Sequence, residues 1–70
     1  MSVKLRVMEG TVLDNGVVGP LYRYYVGYEP NGGPMLTTLV EDEAYVFENK
    51  QEAMNVKHGD ERIAQWEVHG

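Results

Sequence analysis

The stretch LYRYYVGYE, residues 21–29, decides the fold class because it is the clearest β-strand in the sequence. Aromatic and β-branched side chains pack well on the pleated surface of a sheet. Successive side chains of a strand point to opposite faces, so they form two sets: Tyr22, Tyr24, Val26 and Tyr28 on one face, and Leu21, Arg23, Tyr25 and Gly27 on the other. Either set is a candidate for the buried face. If Val26 points inward, Tyr25 stands exposed beside Arg23.

A second strand and a tight turn precede this stretch. Residues 1–9, MSVKLRVME, place valine or leucine at every second position, which is the period of a strand with one buried face. Gly10 is typical of a bulge, and the Asn-Gly pair at 15–16 predicts a hairpin because both residues tolerate positive φ. The return strand begins at 17–18. The Gly-Pro pair at 19–20 then predicts an interruption, at an edge or a bend, because proline donates no ladder hydrogen bond.

The segment after the tyrosine-rich strand predicts a loop, a partner strand and a turn. Residues 30–34, PNGGP, contain two prolines and two glycines and therefore form a loop. MLTTLV at 35–40 is the expected partner strand of a hairpin. EDEA at 41–44 is a turn, and the apolar residues at 45–47 form a short strand or an extended segment.

One short helix, about residues 50–58, is expected near the C-terminus. Asn49 is a good N-cap, and Glu52 at the third helical position completes an arrangement like a capping box. Ala53 lies on the apolar stripe that would pack against the sheet. The final strand, about 62–69, alternates so that Trp66 faces the core.

This order of elements predicts a small α+β fold in a single domain of residues 1–70. The sheet has four to five strands, mostly antiparallel, and the helix packs on one face. A chain of this length buries little surface on folding, and it has no cysteine to form a disulfide. Self-association is therefore the extra stabilisation that we look for first.

The segment EDEAYVFENKQEAMNV, residues 41–56, carries a resemblance. Its pattern A-x-x-F-x-N-x-x-E-A resembles that of many short accessory proteins encoded by phages and prophages of Gram-positive hosts. The matching residues are Ala44, Phe47, Asn49, Glu52 and Ala53. The resemblance implies a strand that enters a helix, in a small accessory protein that binds and blocks a host protein.

Composition excludes several classes of site. The absence of cysteine removes thiolate zinc sites and thiol catalysis, and two histidines are too few for a closed zinc site. No serine or threonine has a base evident from the sequence, and the glycines at 32–33 do not lead into a helix as a phosphate loop does. We therefore expect no enzyme, no cofactor and no metal.

The same composition predicts the compartment. No apolar run approaches the ~20 residues that cross a bilayer. Residues 1–9 lack the continuous apolar stretch of a signal peptide. We expect a cytoplasmic protein with no membrane partner.

Charge is distributed unevenly. The formal net charge is −5, of which residues 29–70 carry −6 and residues 1–28 carry +1. Proteins that bind nucleic acids neutralise phosphates with clustered lysine and arginine. Direct binding of nucleic acid is therefore unlikely from the sequence.

Two sets of side chains are candidates for binding a partner. The first set is acidic: Glu41, Asp42, Glu43, Glu48 and Glu52. These carboxylates could present an acidic surface to a basic cleft, or they could simply solvate a turn and a helix N-terminus. The second set is Arg23 with Tyr25, on a strand face that is either an interface or ordinary sheet surface.

The sequence thus predicts a non-catalytic protein-binding module that modulates or inhibits a host macromolecule. The alternative is a structural or assembly module that self-associates, for instance as a homodimer, by pairing an exposed strand edge with a second copy.

Overall fold

A computed structural model of the chain describes residues 2–29 and 31–70. Its elements are β1 (Lys4–Asp14), β2 (Val17–Tyr28), β3 (Met35–Thr38), a 3-10 helix (Glu41–Glu43), α1 (Lys50–Gly59) and β4 (Glu67–His69). The strands form one antiparallel sheet in the order β3-β2-β1-β4. The predicted α+β class, with its antiparallel sheet, single short helix and final strand, is confirmed.

The long hairpin of β1 and β2 follows the predicted turn. Asn15 and Gly16 have φ of 52° and 78°, so both occupy the left-handed region that an Asn-Gly turn requires. The predicted bulge is present, because the pairing register shifts between Met8 and Gly10. The predicted interruption at 19–20 is wrong, since β2 runs through it. The predicted edge position is correct, because Pro20 lies opposite Thr11 of β1 and β3 pairs with β2 only from Tyr24 onward.

The core lies between the sheet and α1. The buried apolar residues that contact one another there are Val3, Leu5, Tyr25, Phe47, Ala53, Ile63 and Trp66. Leu5 and Tyr25 therefore belong to the helix-side face of the sheet, and Tyr24 on the opposite face of β2 is buried as well. The opposite face, here called the open face, carries Arg6, Met8 and Tyr22.

Helix α1 begins where the sequence predicts. The Asn49 side chain accepts a hydrogen bond from the backbone N–H of Glu52 at 3.0 Å. The Glu52 carboxylate in turn accepts from the backbone N–H of Glu48 at 3.2 Å. Two N–H groups at the helix start are thus satisfied by side chains, as in a capping box. The neighbouring Phe47 makes only an isolated bridge to Val3, so the segment at 45–47 is extended rather than a strand of the sheet.

The C-terminal strand is shorter than predicted. It starts at Glu67, and the residues before it form turns in which Ile63 N–H donates to Asp60 and Trp66 N–H donates to Ile63. Ile63 and Trp66 are both buried because a turn, unlike a strand, brings residues three apart to the same side. The Arg62 side chain binds the Asp60 carboxylate and fixes this turn.

The connection between β2 and β3 contains a tight turn in its described part. Asn31 and Gly32 have φ of 71° and 76°. The predicted loop at 30–34 agrees with this turn, apart from Pro30, which lies outside the described residues. The strand predicted at 35–40 ends at Thr38.

Candidate functional site

The acidic candidates lie at two places, the 3-10 helix and the start of α1. Glu41 is the most engaged of them: its carboxylate accepts from the Tyr24 hydroxyl at 3.3 Å and lies 3.5 Å from Lys4 Nζ. His69 Nε2 is 3.9 Å from the same carboxylate. Glu41 therefore links the 3-10 helix to the first and last strands through side chains of the open face.

Glu43 and Glu52 also have partners within the chain. The Thr38 hydroxyl donates to the Glu43 carboxylate at 2.9 Å, and Glu52 caps the start of α1 as described above. Among the described residues, the side chains of Asp42 and Glu48 make no hydrogen bond or ion pair. Three of the five acidic candidates thus have partners within the chain: Glu43 and Glu52 contact residues near them in the sequence, and Glu41 contacts side chains of three strands.

Arg23 connects three strands. Its guanidinium makes two hydrogen bonds of 2.9 Å to the two carboxylate oxygens of Glu9 in β1, and a third of 2.9 Å to the hydroxyl of Thr37 in β3. A bidentate arginine–carboxylate pair has well-defined geometry. Arg23 therefore holds the β1 bulge against the centre of the sheet.

Tyr25 is a core residue. Only 7 % of its surface is exposed, and its ring stacks on Phe47 with the ring centroids 6.0 Å apart. Burial raises the pKa of its hydroxyl above the ordinary value, and the charges of Tyr45 and Asp60 act in the same direction while Arg62 opposes them. Tyr25 is therefore not available to a partner. Its neighbour on the strand face, Arg23, is occupied by Glu9 and Thr37.

A row of exposed apolar side chains lies elsewhere, on the distal part of the β1–β2 hairpin. We call residues 9–21 the hairpin arm. Every residue of the arm is exposed except Gly19 and Leu21, which are half-buried. Leu13 and Val18 are 69 % and 67 % exposed, and Val17 is equally open. Neither α1 nor any other described element covers the arm.

Pairing register places these side chains on the two faces of the arm. Leu13 lies opposite Val18, Thr11 lies opposite Pro20, and Met8 lies opposite Tyr22 at the foot of the arm. Residues that pair across an antiparallel ladder share a face. Met8, Leu13, Val18, Pro20 and Tyr22 therefore form one line on the open face, here called the apolar stripe. Val12 and Val17 lie on the opposite face of the arm.

The foot of the stripe is held in place by polar neighbours. The Arg6 guanidinium lies over the Tyr22 ring, 3.8 Å from its centroid. The same guanidinium forms an ion pair with Glu67 of β4. The stripe thus begins at an ordered part of the sheet and runs outward along the arm.

Sequence reasoning missed the arm as a site, although it contained a signal. In VLDNGVV, residues 12–18, apolar residues occupy adjacent positions on both sides of the turn. Adjacent apolar residues in a strand point to opposite faces, so a two-stranded arm with this pattern is apolar on both sides. A hairpin with one face on a core would alternate apolar and polar residues instead.

The structure offers little that suggests metal or small-molecule chemistry in the part of the chain it describes. No group of three or more His, Asp or Glu side chains among residues 2–29 and 31–70 is placed to hold a metal ion. A cleft of about 400 Å³ lies beside the start of α1, lined by Val3, Glu48, Asn49, Lys50, Val68 and Gly70. No described helix is long and apolar enough to cross a membrane.

Comparison with known proteins identifies no relative of this chain. No family model, no curated protein and no solved structure matches the chain.

Proposed function

We propose that this chain is a non-catalytic protein-binding module that contacts a partner macromolecule through the apolar stripe of its hairpin arm. The observation that carries the proposal is the exposure of Met8, Leu13 and Val18 along one line of the open face. Exposed apolar residues are common when scattered singly, but a contiguous set is typical of an interaction site.

The shape of the molecule supports the proposal. The Cα radius of gyration is 12.9 Å and the principal extents are 41 × 27 × 20 Å. A compact chain of this length has a radius of about 11 Å. The excess agrees with an arm that extends beyond the core, where a partner reaches it from several sides.

The chemistry of the arm favours a protein with an apolar groove as the partner. Between Gly10 and Tyr22 the only charged residue is Asp14. Nucleic acids and anionic lipid surfaces are bound through clustered lysine and arginine, which the arm lacks. Burial of side chains such as Leu13 and Val18 supplies about 25 cal/mol for each Å² removed from water.

The acidic surface remains a second version of the same function. In that version Asp42 and Glu48, with the other acidic candidates, face a basic cleft on a host macromolecule. It is the weaker version because Glu41, Glu43 and Glu52 already have partners within the chain. The resemblance of residues 41–56 to phage-type accessory proteins, and a cytoplasmic site of action, stay predictions.

Capture from bacterial lysate with matched variants tests the two versions together. The wild-type chain is compared with Leu13→Ser/Val18→Ser, which makes the stripe polar, and with Glu41→Gln/Asp42→Asn/Glu43→Gln, which neutralises the acidic segment. Retained proteins are identified by mass spectrometry, and the main one is purified for affinity measurement. Val17→Ser is the control for the opposite face of the arm.

We expect the stripe variant to bind the purified partner at least about tenfold more weakly, and the acidic variant and Val17→Ser to bind it nearly as the wild type does. A partner that the acidic variant loses, and the stripe variant keeps, would move the site to residues 41–43. Because the substituted residues Leu13, Val17 and Val18 are all exposed, circular dichroism should show the stripe variant folded, so that a loss of binding is not a loss of structure.

A further inference from the structure

The two outer edges of the hairpin arm are unpaired among the described residues. β4 pairs with β1 only at Lys4–Arg6, and β3 pairs with β2 only from Tyr24 onward. Beyond these points β1 and β2 bond only to each other. Each strand of the arm therefore has one edge along which backbone N–H and C=O groups face water.

The register shows which backbone groups point outward. The tight turn at Asn15-Gly16 is closed by the hydrogen-bonded pair Asp14 and Val17. Hydrogen-bonded and non-hydrogen-bonded pairs alternate along an antiparallel ladder. The backbone groups of Leu13 and Thr11 therefore point away from β2, and those of Val18 and Pro20 point away from β1.

The two edges differ in their capacity to accept another strand. On the β2 edge Pro20 has no N–H, so this edge lacks a donor where an added strand would need one. On the β1 edge Thr11 and Leu13 each present both a backbone N–H donor and a backbone C=O acceptor. Neither a proline nor a lysine, the usual devices that block an edge, lies between Gly10 and Leu13. The bulge at Glu9 lies at the foot of the arm and leaves this part of the edge regular.

We propose that the β1 edge of the arm pairs with the same edge of a second copy of this chain. The strands run antiparallel about a two-fold axis at Val12, so that Thr11 lies opposite the partner's Leu13. Both residues point their backbone groups outward, and each such pair can therefore exchange two N–H···O=C bonds. An edge of this kind is complementary to itself, which is what a two-fold interface requires.

The surface area of the chain agrees with a second copy as the occupant. Its accessible surface is 4928 Å² for a mass of 7.9 kDa, whereas a compact monomer of this mass exposes about 4,400 Å². The excess of roughly 500 Å² is surface that a compact fold of this size would cover and that stays available to a second copy. Because the pairing joins only Thr11 to Leu13 of each chain, the expected dimer is one that dissociates on dilution.

Charge does not oppose this arrangement. Each chain carries −5 overall, but residues 10–22 contribute only Asp14. The long axis of the molecule measures 41 Å, so two chains joined by their arms hold their acidic bodies apart by more than the ~8 Å over which charges act at physiological salt.

Pairing through the edge goes beyond the proposed binding function, because it uses backbone groups and leaves the apolar stripe on the face of the sheet. It also places the stripes of two copies side by side. The two proposals therefore fail separately: stripe variants alter partner capture, and edge variants alter self-association.

The test is sedimentation equilibrium of the full chain from micromolar to millimolar concentration, with proline at either edge. Thr11→Pro removes an outward N–H from the β1 edge and none of the hydrogen bonds inside the hairpin. Thr11→Val keeps that N–H, and Val18→Pro removes an outward N–H from the β2 edge. Circular dichroism and amide exchange in β3 and β4 report whether each variant is folded.

We expect the wild type, Thr11→Val and Val18→Pro to approach twice the monomer mass as concentration rises. Thr11→Pro should need at least about tenfold more protein, because the two-fold axis removes the donor twice. A wild type that stays monomeric at every concentration would overturn the proposal. Equal weakening by Thr11→Pro and Val18→Pro would also overturn it, because the β1 edge would not be special.

If Thr11→Pro fails to fold, amide hydrogen exchange of the wild type decides the question. The Thr11 and Leu13 amides should become protected with rising concentration while the Val18 amide stays open. Exchange rates at Thr11 and Leu13 that do not depend on concentration would contradict the proposal.

Discussion

The inner and outer halves of the β1–β2 hairpin have similar apolar content and opposite environments. In the inner half Leu5 and Tyr25 are buried against α1 and the turns at 60–66. In the outer half Leu13 and Val18 are about two-thirds exposed. The same two strands thus form a core at one end and an uncovered apolar surface at the other.

The two halves of the hairpin differ in whether other parts of the chain pack against them. The core residues from outside the hairpin, among them Phe47, Ala53, Ile63 and Trp66, all pack against the inner half. None of these four residues covers the arm, and a two-stranded hairpin alone is marginally stable in water. Its stability must come from the inner half, through the Arg23–Glu9 pair at the foot of the arm, and from the tight turn at Asn15-Gly16.

The largest expected effect contrasts two leucines on one strand. Leu5→Ala should lower the free energy of unfolding by about 2–5 kcal/mol, because the side chain is fully buried and the change leaves a cavity. Leu13→Ala should change it by less than about 0.5 kcal/mol. Urea denaturation of the two variants measures both values. Similar losses of unfolding free energy in the two variants would mean that Leu13 is buried against another part of the chain.

The tight turn is the next test. Gly16 has a φ of 78°, where a side chain is strained, so Gly16→Ala should cost about 1 kcal/mol. The cost should appear mainly in the arm, as faster amide exchange at Val12 and Gly19, which bond to each other across the hairpin, while the amide of Leu5 stays protected. Uniform loss of protection in both halves would show that the hairpin is a single cooperative unit.

The clamp at the foot of the arm should have a smaller effect. Arg23→Ala removes the pair with Glu9, and exposed pairs of this kind contribute about 0.2–1 kcal/mol. Arg23→Lys is the matched control, because lysine keeps the charge but cannot make the bidentate contact. Amide exchange in the arm should rise in both variants. An unchanged arm in both would show that the pair with Glu9 does not order it.

Alkaline pH should lower the free energy of unfolding through Tyr25, which lies in the core and not in the arm. The pKa of Tyr25 is raised in the folded chain, so its contribution to stability is complete below the ordinary pKa of tyrosine and is lost as pH rises through the raised value. Tyr25→Phe should therefore lose less stability than the wild type between neutral and strongly alkaline pH. Parallel curves for the two proteins, in urea titrations across that range, would exclude Tyr25 as the group responsible.

The sequence predicted the first strand, the hairpin turn and the helix start well because each of these signals has one local cause. Period-2 alternation gave the strand with Leu5, Asn-Gly gave the turn, and Asn49 with Glu52 gave the helix start. The final strand was predicted too long because Ala64, Trp66 and Val68 alternate as in a strand. The Asp60–Arg62 contact in the turn depends on side-chain geometry that the sequence does not show. Exposure of the arm could not be predicted, because alternation assigns faces without saying whether another element covers them.

The residues of the candidate site could be named from the sequence, but their contacts could not. The acidic residues were identified by composition, but hydrogen bonds such as those from Thr38 to Glu43 depend on tertiary structure. The sequence did not show which face of the strand at 21–29 is buried. The stacking of Tyr25 on Phe47, which is distant in the sequence, places Tyr25 in the core.

The central claim is that the apolar stripe on the arm is uncovered and available to a partner. The most direct test is NMR of the dilute chain, in which a soluble paramagnetic agent broadens the signals of exposed methyl groups. The account predicts strong broadening for the Leu13 and Val18 methyl groups and almost none for those of Leu5 and Ile63. Equal protection of all four residues would contradict the claim, because the arm would then be packed against the body of the molecule.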